Sequence, residues 1–574
     1  MKIHKYIAVL FSAGMLLAGC NDDFLDNRPK GTVSGDDLTT PETVDQMVIA
    51  AYAAIGNDHW TVPFGSMWAY GSVRSDDSYK GGGGTGDVGD FHNYETFTFN
   101  RPTQGSTDVL WYRLYVGLSR TNDALARING LDEAEYPQKT QRQAEMRFVR
   151  GHFNFLLKIL FNQFPYIDET VAKEDYAQVS NVEYTSQELW DKIADDFRFA
   201  AENLENTAQQ AGRADQGAAK AYLAKTLLYQ AYEQDDQHNV VNVNREKLEQ
   251  VVSLVDEISG SYNLESDFGH NFLWQYENNP ESVFAIQRSI DDGTPTGRVD
   301  MGTALNYPMG STYGCCWFNI PSQNLVNAYQ TDQNGLPKFD TYDATNLLTA
   351  QDFQAKTVDP RVNHTVGIPG QPWKYQPAVV YEQSWARTPE LYGHFSSMKE
   401  VQQPDCACLR KVGPFFASSK NNLVIRFADV LLWKAEALIE LGRQDEALPI
   451  INLIRERAQN STGMLKDANG NLISNFQVET YKPGVNITWT QDAARQALRW
   501  ERRLEFAMEG IRFFDLVRWG VAAETLNAYF ETEEERRQYL QDAQFQKNRD
   551  EYLPIPQQQI DFSKGLYQQN ANWN

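Results

Sequence analysis

Covalent chemistry shows itself in a sequence by spacing, and the usual spacings are missing from this one. There is no His-Glu-x-x-His, no Cys-x-x-Cys and no Gly-x-x-x-x-Gly-Lys. The 8 histidines are scattered without metal-ligand spacing. The 76 carboxylates offer many pairs, yet no stretch nominates two of them as the acid and base of a glycosidase. Gly81 to Gly84 lacks the Lys and the strand–loop–helix context of a phosphate cradle and reads as a loop. Asp332-x-Asn334-Gly335 and Asp467-x-Asn469-Gly470 resemble pieces of calcium loops without the closing Glu, and read as Asn-Gly turns. The expectation is therefore no catalytic residue, no metal and no cofactor.

Two other constellations remain. The first is sulfur: besides Cys20, the cysteines come as Cys315-Cys316 and Cys406-x-Cys408. An oxidising compartment would bridge them. Crossed pairing would tie two loops together and contribute about 4 kcal/mol in the chain-entropy model. Local pairing would make a flat apolar surface beside Trp317. Both patterns stay open. The second is aromatic: rings on irregular segments beside Asp, Asn and Arg, the pairing that suits a sugar with an apolar ring face and a hydroxyl rim. Residues 56–95 supply Trp60, Arg74, Asp76, Asp77 and Tyr79; the middle of the chain supplies Asn306, Tyr307, Tyr313 and Trp317; residues 373–395 supply Trp385, Arg387 and Tyr392. Trp68, in the helix-like FGSMWAYG, goes to the core. On this reading Trp317→Ala weakens binding at least tenfold and leaves stability nearly unchanged.

The elements that must carry these residues are mostly helices. Thr40-Pro41 opens one, with Val44, Met47, Val48, Ala51 and Ile55 as its buried stripe. Further helices are predicted over Val109–Ile128, Gln141–Phe161, Glu188–Leu204, Gly217–Tyr232 and Arg245–Ile258. A second helical block starts at Asn422, where Leu441-Gly442 and Glu446-Ala447 fall at tetratricopeptide spacing. Between the blocks, about 261–421 is rich in Gly, Pro, Asn and aromatics. The run Trp489–Gly520 has Thr488 or Thr490 as cap and apolar residues at Ala493, Ala497, Trp500, Leu504, Ala507 and Ile511. Its charges, Glu501, Glu505, Glu509, Arg512, Asp515 and Arg518, fall at helical spacing and read as a structural ladder pairing along the axis. Gly510 interrupts the run.

Compartment follows from the ends and the charge. Lys2 and Lys5 precede an apolar run, Ile7–Leu17, too short to span a bilayer and suited to a signal peptide. Leu17-Ala18-Gly19-Cys20 then looks like a lipobox, with Cys20 acylated. A formal charge of −24 argues against nucleic-acid binding.

The wording R-x-E-R-R-x-E-F-x-x-E-G-x-R-F-F-D-L-x-R-W-G, between Arg499 and Gly520, resembles the C-terminal signature of the SusD/RagB family of outer-membrane nutrient-binding lipoproteins. FLDNRPKG, RSDDSYKGG, NNPESVFAIQ, PSQNLVNAY, DPRVNHTV and EYLPIPQQQI resemble further family segments, RSDDSYKGG at the edge of the ligand site. The resemblance implies a mostly α fold: tetratricopeptide-like helix pairs, a short α-solenoid, plus a large loop-rich ligand-binding region. It divides the chain into a signal peptide at 1–19, a lipidated tether at 20–40 and one domain at 41–574, with helical repeats about 41–260 and 422–530. It implies a cell-surface, lipid-anchored outer-membrane protein that captures oligosaccharide as the lid of a SusC-like TonB-dependent transporter. Alternatives are a peptide-binding member, a protein-assembly scaffold and, outside the family, a hydrolase.

Overall fold

The computed structural model describes residues 40–310 and 312–573; the signal peptide, Cys20 and the tether up to residue 39 lie outside them. Helix α1 (Pro41–Ile55) begins at a Thr40 capping box with Pro at its first turn. Then come α2 (Gly105–Asn129), α3 (Lys139–Phe161), α4 (Ser186–Asn203), α5 (Gln216–Ala231) and α6 (Arg245–Ile258). From α2 onward, each packs chiefly on the next. Glycines permit the close approach: a Cβ on Gly117 of α2 would sit 2.2 Å from the Phe153 ring of α3, and one on Gly151 would sit 2.8 Å from Phe197 of α4.

Helix α7 (Phe427–Glu440) docks on α5 and α6, and α8 (Gln444–Asn460) and α9 (Gln491–Phe506) dock on α7. The solenoid is thus continuous from α6 into α7, and the residues between are an excursion from it. The excursion carries short strands in pairs: β2 (Ser282–Ile286) with β6 (Asn422–Arg426), a hairpin of β4 (Leu409–Val412) and β5 (Phe415–Ser418), and β3 (Phe318–Pro321), which pairs with β1 (Ser78–Gly81) from ahead of α2. Asp332 and Asp467 accept from the backbone N–H groups two and four residues on, which makes both Asp-x-Asn-Gly segments tight turns.

The run Trp489–Gly520 is two helices rather than one. α9 stops at Phe506, and α10 (Arg512–Arg518) starts after a bend at Gly510, φ +72°. Two glycines cross there: a Cβ on Gly71 would lie 1.8 Å from the Gly510 carbonyl oxygen, and one on Gly510 would lie 2.5 Å from that of Ser66. Helix α11 (Ala522–Glu533) follows.

The charge ladder is structural, but it pairs mainly outward, and Glu501 and Glu505 are buried. Glu501 meets Arg361 at 2.6 Å and Arg455 at 3.0 Å. Glu505 accepts from Arg361 at 3.1 Å, from Arg426 at 2.9 Å and from Arg457. Glu509 takes Arg426 and Lys399 at 2.9 and 2.7 Å. Asp515–Arg518, 2.8 Å, is the pair that does form along the axis. Burial would push the Glu505 carboxyl up, but Arg457, Arg426 and Arg361 outweigh it and hold the group well below the usual carboxylate range.

Candidate functional site

Four irregular pieces of chain meet on one face: the glycine loop 81–88, the loop 305–317, the segment 383–392 and the β4–β5 hairpin. The glycine loop leaves β1 through Gly81 and Gly82, both with φ near +80° (79° and 78°). No side chain fits at either: a Cβ would lie 2.4 Å from the Trp317 carbonyl oxygen at Gly81 and 2.4 Å from the Phe318 ring at Gly82. Gly82 N–H donates to that same Trp317 oxygen at 2.8 Å, joining the first two loops.

Lys80 pins the glycine loop from below. Its Nζ donates to the carbonyls of Gly84 (2.7 Å) and Asp87 (2.6 Å), and lies 5.2 Å from the Phe318 ring centroid and 5.9 Å from that of Tyr392. Burial brings this ammonium down to about 8, against the pull of Glu95 and Asp87. Lys80→Met should leave two carbonyls without a donor, cost about 1–3 kcal/mol, and raise amide hydrogen exchange over residues 82–88 before it does so elsewhere. Uniform exchange across the domain would show that the lysine does not hold this loop.

The third piece closes over the first two. Arg387 Nη1 pairs with Asp87 Oδ2 at 2.8 Å, and Thr388 Oγ1 donates to the Gly82 carbonyl at 2.7 Å. Met309 N–H donates to the Trp385 carbonyl at 2.9 Å, and the Trp385 ring lies over Gly310, where a Cβ would be 2.5 Å from the indole. The edges of Trp373 and Tyr381 hold that ring, with centroids at 5.7 and 5.4 Å. Phe416 of the hairpin meets Tyr313 edge-on at 6.0 Å. The sulfurs pair locally, Cys315 with Cys316 and Cys406 with Cys408, so of the two patterns left open by the sequence the structure takes the local one.

Part of the Trp385 indole reaches solvent on this face, with Arg387 and part of Asp87 beside it, together with Glu382, Gln383, Ser384, Thr312 and part of Cys315. An apolar plate next to a guanidinium, a carboxylate and hydroxyls can stack a ring and bond its rim. Among the described residues no three His, Cys, Asp or Glu side chains converge as a metal site.

Of the residues singled out by sequence, Trp60, Trp385 and Arg387 are accessible, and Trp60 sits apart from the other two, tilted against Phe415 at 5.6 Å. The other nine are in the interior and cannot touch a ligand as placed. Arg74 donates to the Asp550 carbonyl at 2.7 Å and lies over the Phe513 ring. Asp76 pairs with Arg503 (3.0 Å) and Arg512 (2.8 Å), Asp77 with Arg503 (3.1 Å). Burial opposes the Asp76 charge, but the two arginines prevail and take its carboxyl down to about 2. Tyr79 bonds Glu533. Asn306 donates to Glu400, whose carboxyl burial pushes up to about 8. Tyr307, Tyr313, Trp373 and Tyr381 form a small core of their own, and Trp317 and Tyr392 belong to the main one. The reason is general: a long irregular segment needs an interior, and its aromatics build it. Trp68 is core, as assigned, its indole donating to the Gly302 carbonyl. Lys80 and Asp87, which shape the face, carry no signal of their own in the sequence: the lysine stands inside RSDDSYKGG, between two acids and two glycines.

Comparison with known proteins bears on this arrangement. A model of the SusD family matches residues 280–573, and one described as starch-binding associating with outer membrane matches residues 23–228. SusD-like protein P2 of Formosa agariphila is 22% identical over 99% of this chain and 100% of its own. A SusD superfamily protein from Bacteroides vulgatus superposes with a TM-score of 0.66 at 22% identity, covering 93% of this chain and 99% of that one. Surface glycan-binding protein A from Bacteroides thetaiotaomicron, solved in complex with laminarihexaose, gives 0.63 at 21% identity, covering 93% and 100%. At these identities the structures establish a shared fold.

Proposed function

This chain belongs to the SusD family, and from that premise we propose that it is a cell-surface glycan-binding lipoprotein. It captures oligosaccharide on the face around Trp385 and passes it, without covalent chemistry, to a SusC-like TonB-dependent transporter on which it sits as a lid. Cys20 carries the acyl anchor in the outer membrane, and residues 41–574 act as one domain. Among the described residues no helix is long and apolar enough to cross a membrane. The observation that carries the reading is the plate: Trp385, partly buried but open on one side, with the Arg387–Asp87 pair beside it at 2.8 Å. The same fold in a protein solved with laminarihexaose supports it.

Calorimetry on a panel of neutral glycans, with laminarihexaose included and the solutions analysed afterwards for products, tests the proposal. A stacked indole contributes on the order of 1–3 kcal/mol through buried apolar area. Trp385→Ala should therefore weaken binding about tenfold or more, in protein shown by its melting curve to be folded. Equal binding by the variant would move the site away from this face. Release of shorter sugars would make the protein a hydrolase.

A further inference from the structure

Away from this face, α9, α10 and the start of α11 line an open groove of about 690 Å³, with Phe339 and Asp340 on its opposite side. That size lies within the roughly 300–1,000 Å³ of small-ligand sites. Most of the arginines along it are spoken for: Arg495 pairs with Glu440 and Asp492, Arg503 with Asp76 and Asp77, Arg512 with Asp76. Arg499 is different. Among the described residues no carboxylate lies within 4.0 Å of it and no side-chain or backbone oxygen accepts from it. Its guanidinium is held over the Trp519 ring, 4.8 Å from the centroid, and Trp519 is itself fixed by its indole N–H donating to Glu436 at 2.8 Å. Half-buried Trp500, edge-on to Phe339 and Tyr342, forms the adjoining wall. A flat, pre-oriented fork of N–H donors beside aromatic walls is a carboxylate receptor.

We propose that this groove is a second ligand site, which takes an acidic oligosaccharide by placing one uronate carboxylate on Arg499. The proposal rests on the glycan-binding reading and narrows its ligand class. The rim explains the choice of sugar over an acidic protein segment. Asp340, Asp492 and Glu524 border the same groove. A polyacidic peptide would lay its charges against them. A saccharide with a single uronate puts its one charge at the single uncommitted cation and offers neutral hydroxyls to the three acids as donors.

The test uses the whole protein and three probes: aldotriouronic acid (a trisaccharide carrying one uronate), the same sugar with its carboxyl reduced to an alcohol, and a tetra-aspartate peptide. Wild type should bind the acid, bind the reduced sugar at least tenfold more weakly, and ignore the peptide. Arg499→Gln should lower affinity for the acid at least tenfold, and Arg499→Lys should restore part of it. Absence of binding by the acid, equal binding by Arg499→Gln, equal binding of the reduced sugar, or tighter binding of the peptide would each overturn the proposal. The neutral-glycan titrations at the Trp385 face answer separately, so failure there removes the first reading and failure here removes only this one.

Discussion

Glu505→Gln is expected to lower stability by about 3–5 kcal/mol, the cost of breaking a buried ion pair from one side, and to abolish most soluble expression. In the wild type one carboxylate compensates three buried guanidiniums, Arg361, Arg426 and Arg457. The amide keeps the shape and removes one charge from a cluster of five cations, Arg361, Arg426, Arg455, Arg457 and Lys399, which only Glu281, Glu501, Glu509 and Asp359 are then left to balance. Against a total of roughly 5–15 kcal/mol for an ordinary domain, that is a large fraction. A denaturant midpoint, or the folded yield where the midpoint cannot be reached, measures it; an unchanged midpoint would show that the network is not holding the fold. The pH dependence has a definite sign. The folded Glu505 carboxyl lies below its ordinary 4.5, so its contribution is complete above that value and is lost as pH falls through the folded one. Asp76, taken down to about 2 from 3.8, acts in the same direction. Wild type should therefore lose stability between about pH 4 and pH 2, and Glu505→Gln should show a shallower acid slope.

Trp317→Ala carries the second large effect, and it is the reverse of what the sequence suggests. The side chain is wholly buried, its indole donates to the Phe395 carbonyl at 3.0 Å, and Tyr392 packs edge-on at 6.3 Å. Emptying that volume should cost about 3–5 kcal/mol. Denaturation of the variant should show the loss directly, while the remaining folded protein keeps its Trp385 face and much of its affinity. A variant of unchanged stability that no longer binds glycan would restore Trp317 to the ligand site.

How much could be read beforehand follows the range of the interactions. The helices over 41–55, 105–258 and 427–506 were legible because their apolar spacing is local and each turn repeats it; the short helix Gly89–Thr96 was not, and Asn422–Arg426, read as the start of the second block, is strand β6. The bend at Gly510 was legible as an interruption, but not its cause, since the atoms that demand glycine belong to Ser66 and Met67. Asp76 and Asp77 look like binding groups because two adjacent acids beside a tyrosine resemble a hydroxyl-binding edge; their arginine partners stand over 400 positions away, Arg503 being 426 positions on from Asp77. The face itself depends on which aromatics the irregular segments spend on their own interior, and Trp317, Tyr313 and Trp385 look alike until the chain is folded.

The crossing of Gly71 and Gly510 has a consequence for biosynthesis. A chain is made and exported from its N-terminus, so α1 to α6 can gather while the far end is still absent. The stretch from Ser72 to Gly81 cannot finish then. Arg74, Asp76 and Asp77 take their partners from residues 503–550, and the glycine loop hangs from the end of that stretch. The face around Trp385 is thus among the last parts to form: until residues 503–550 arrive, Arg74, Asp76 and Asp77 lack their partners and the loop Gly81–Val88 has no fixed base. Formation of that face then reports on the completeness of the polypeptide: only molecules translated to the end can present it.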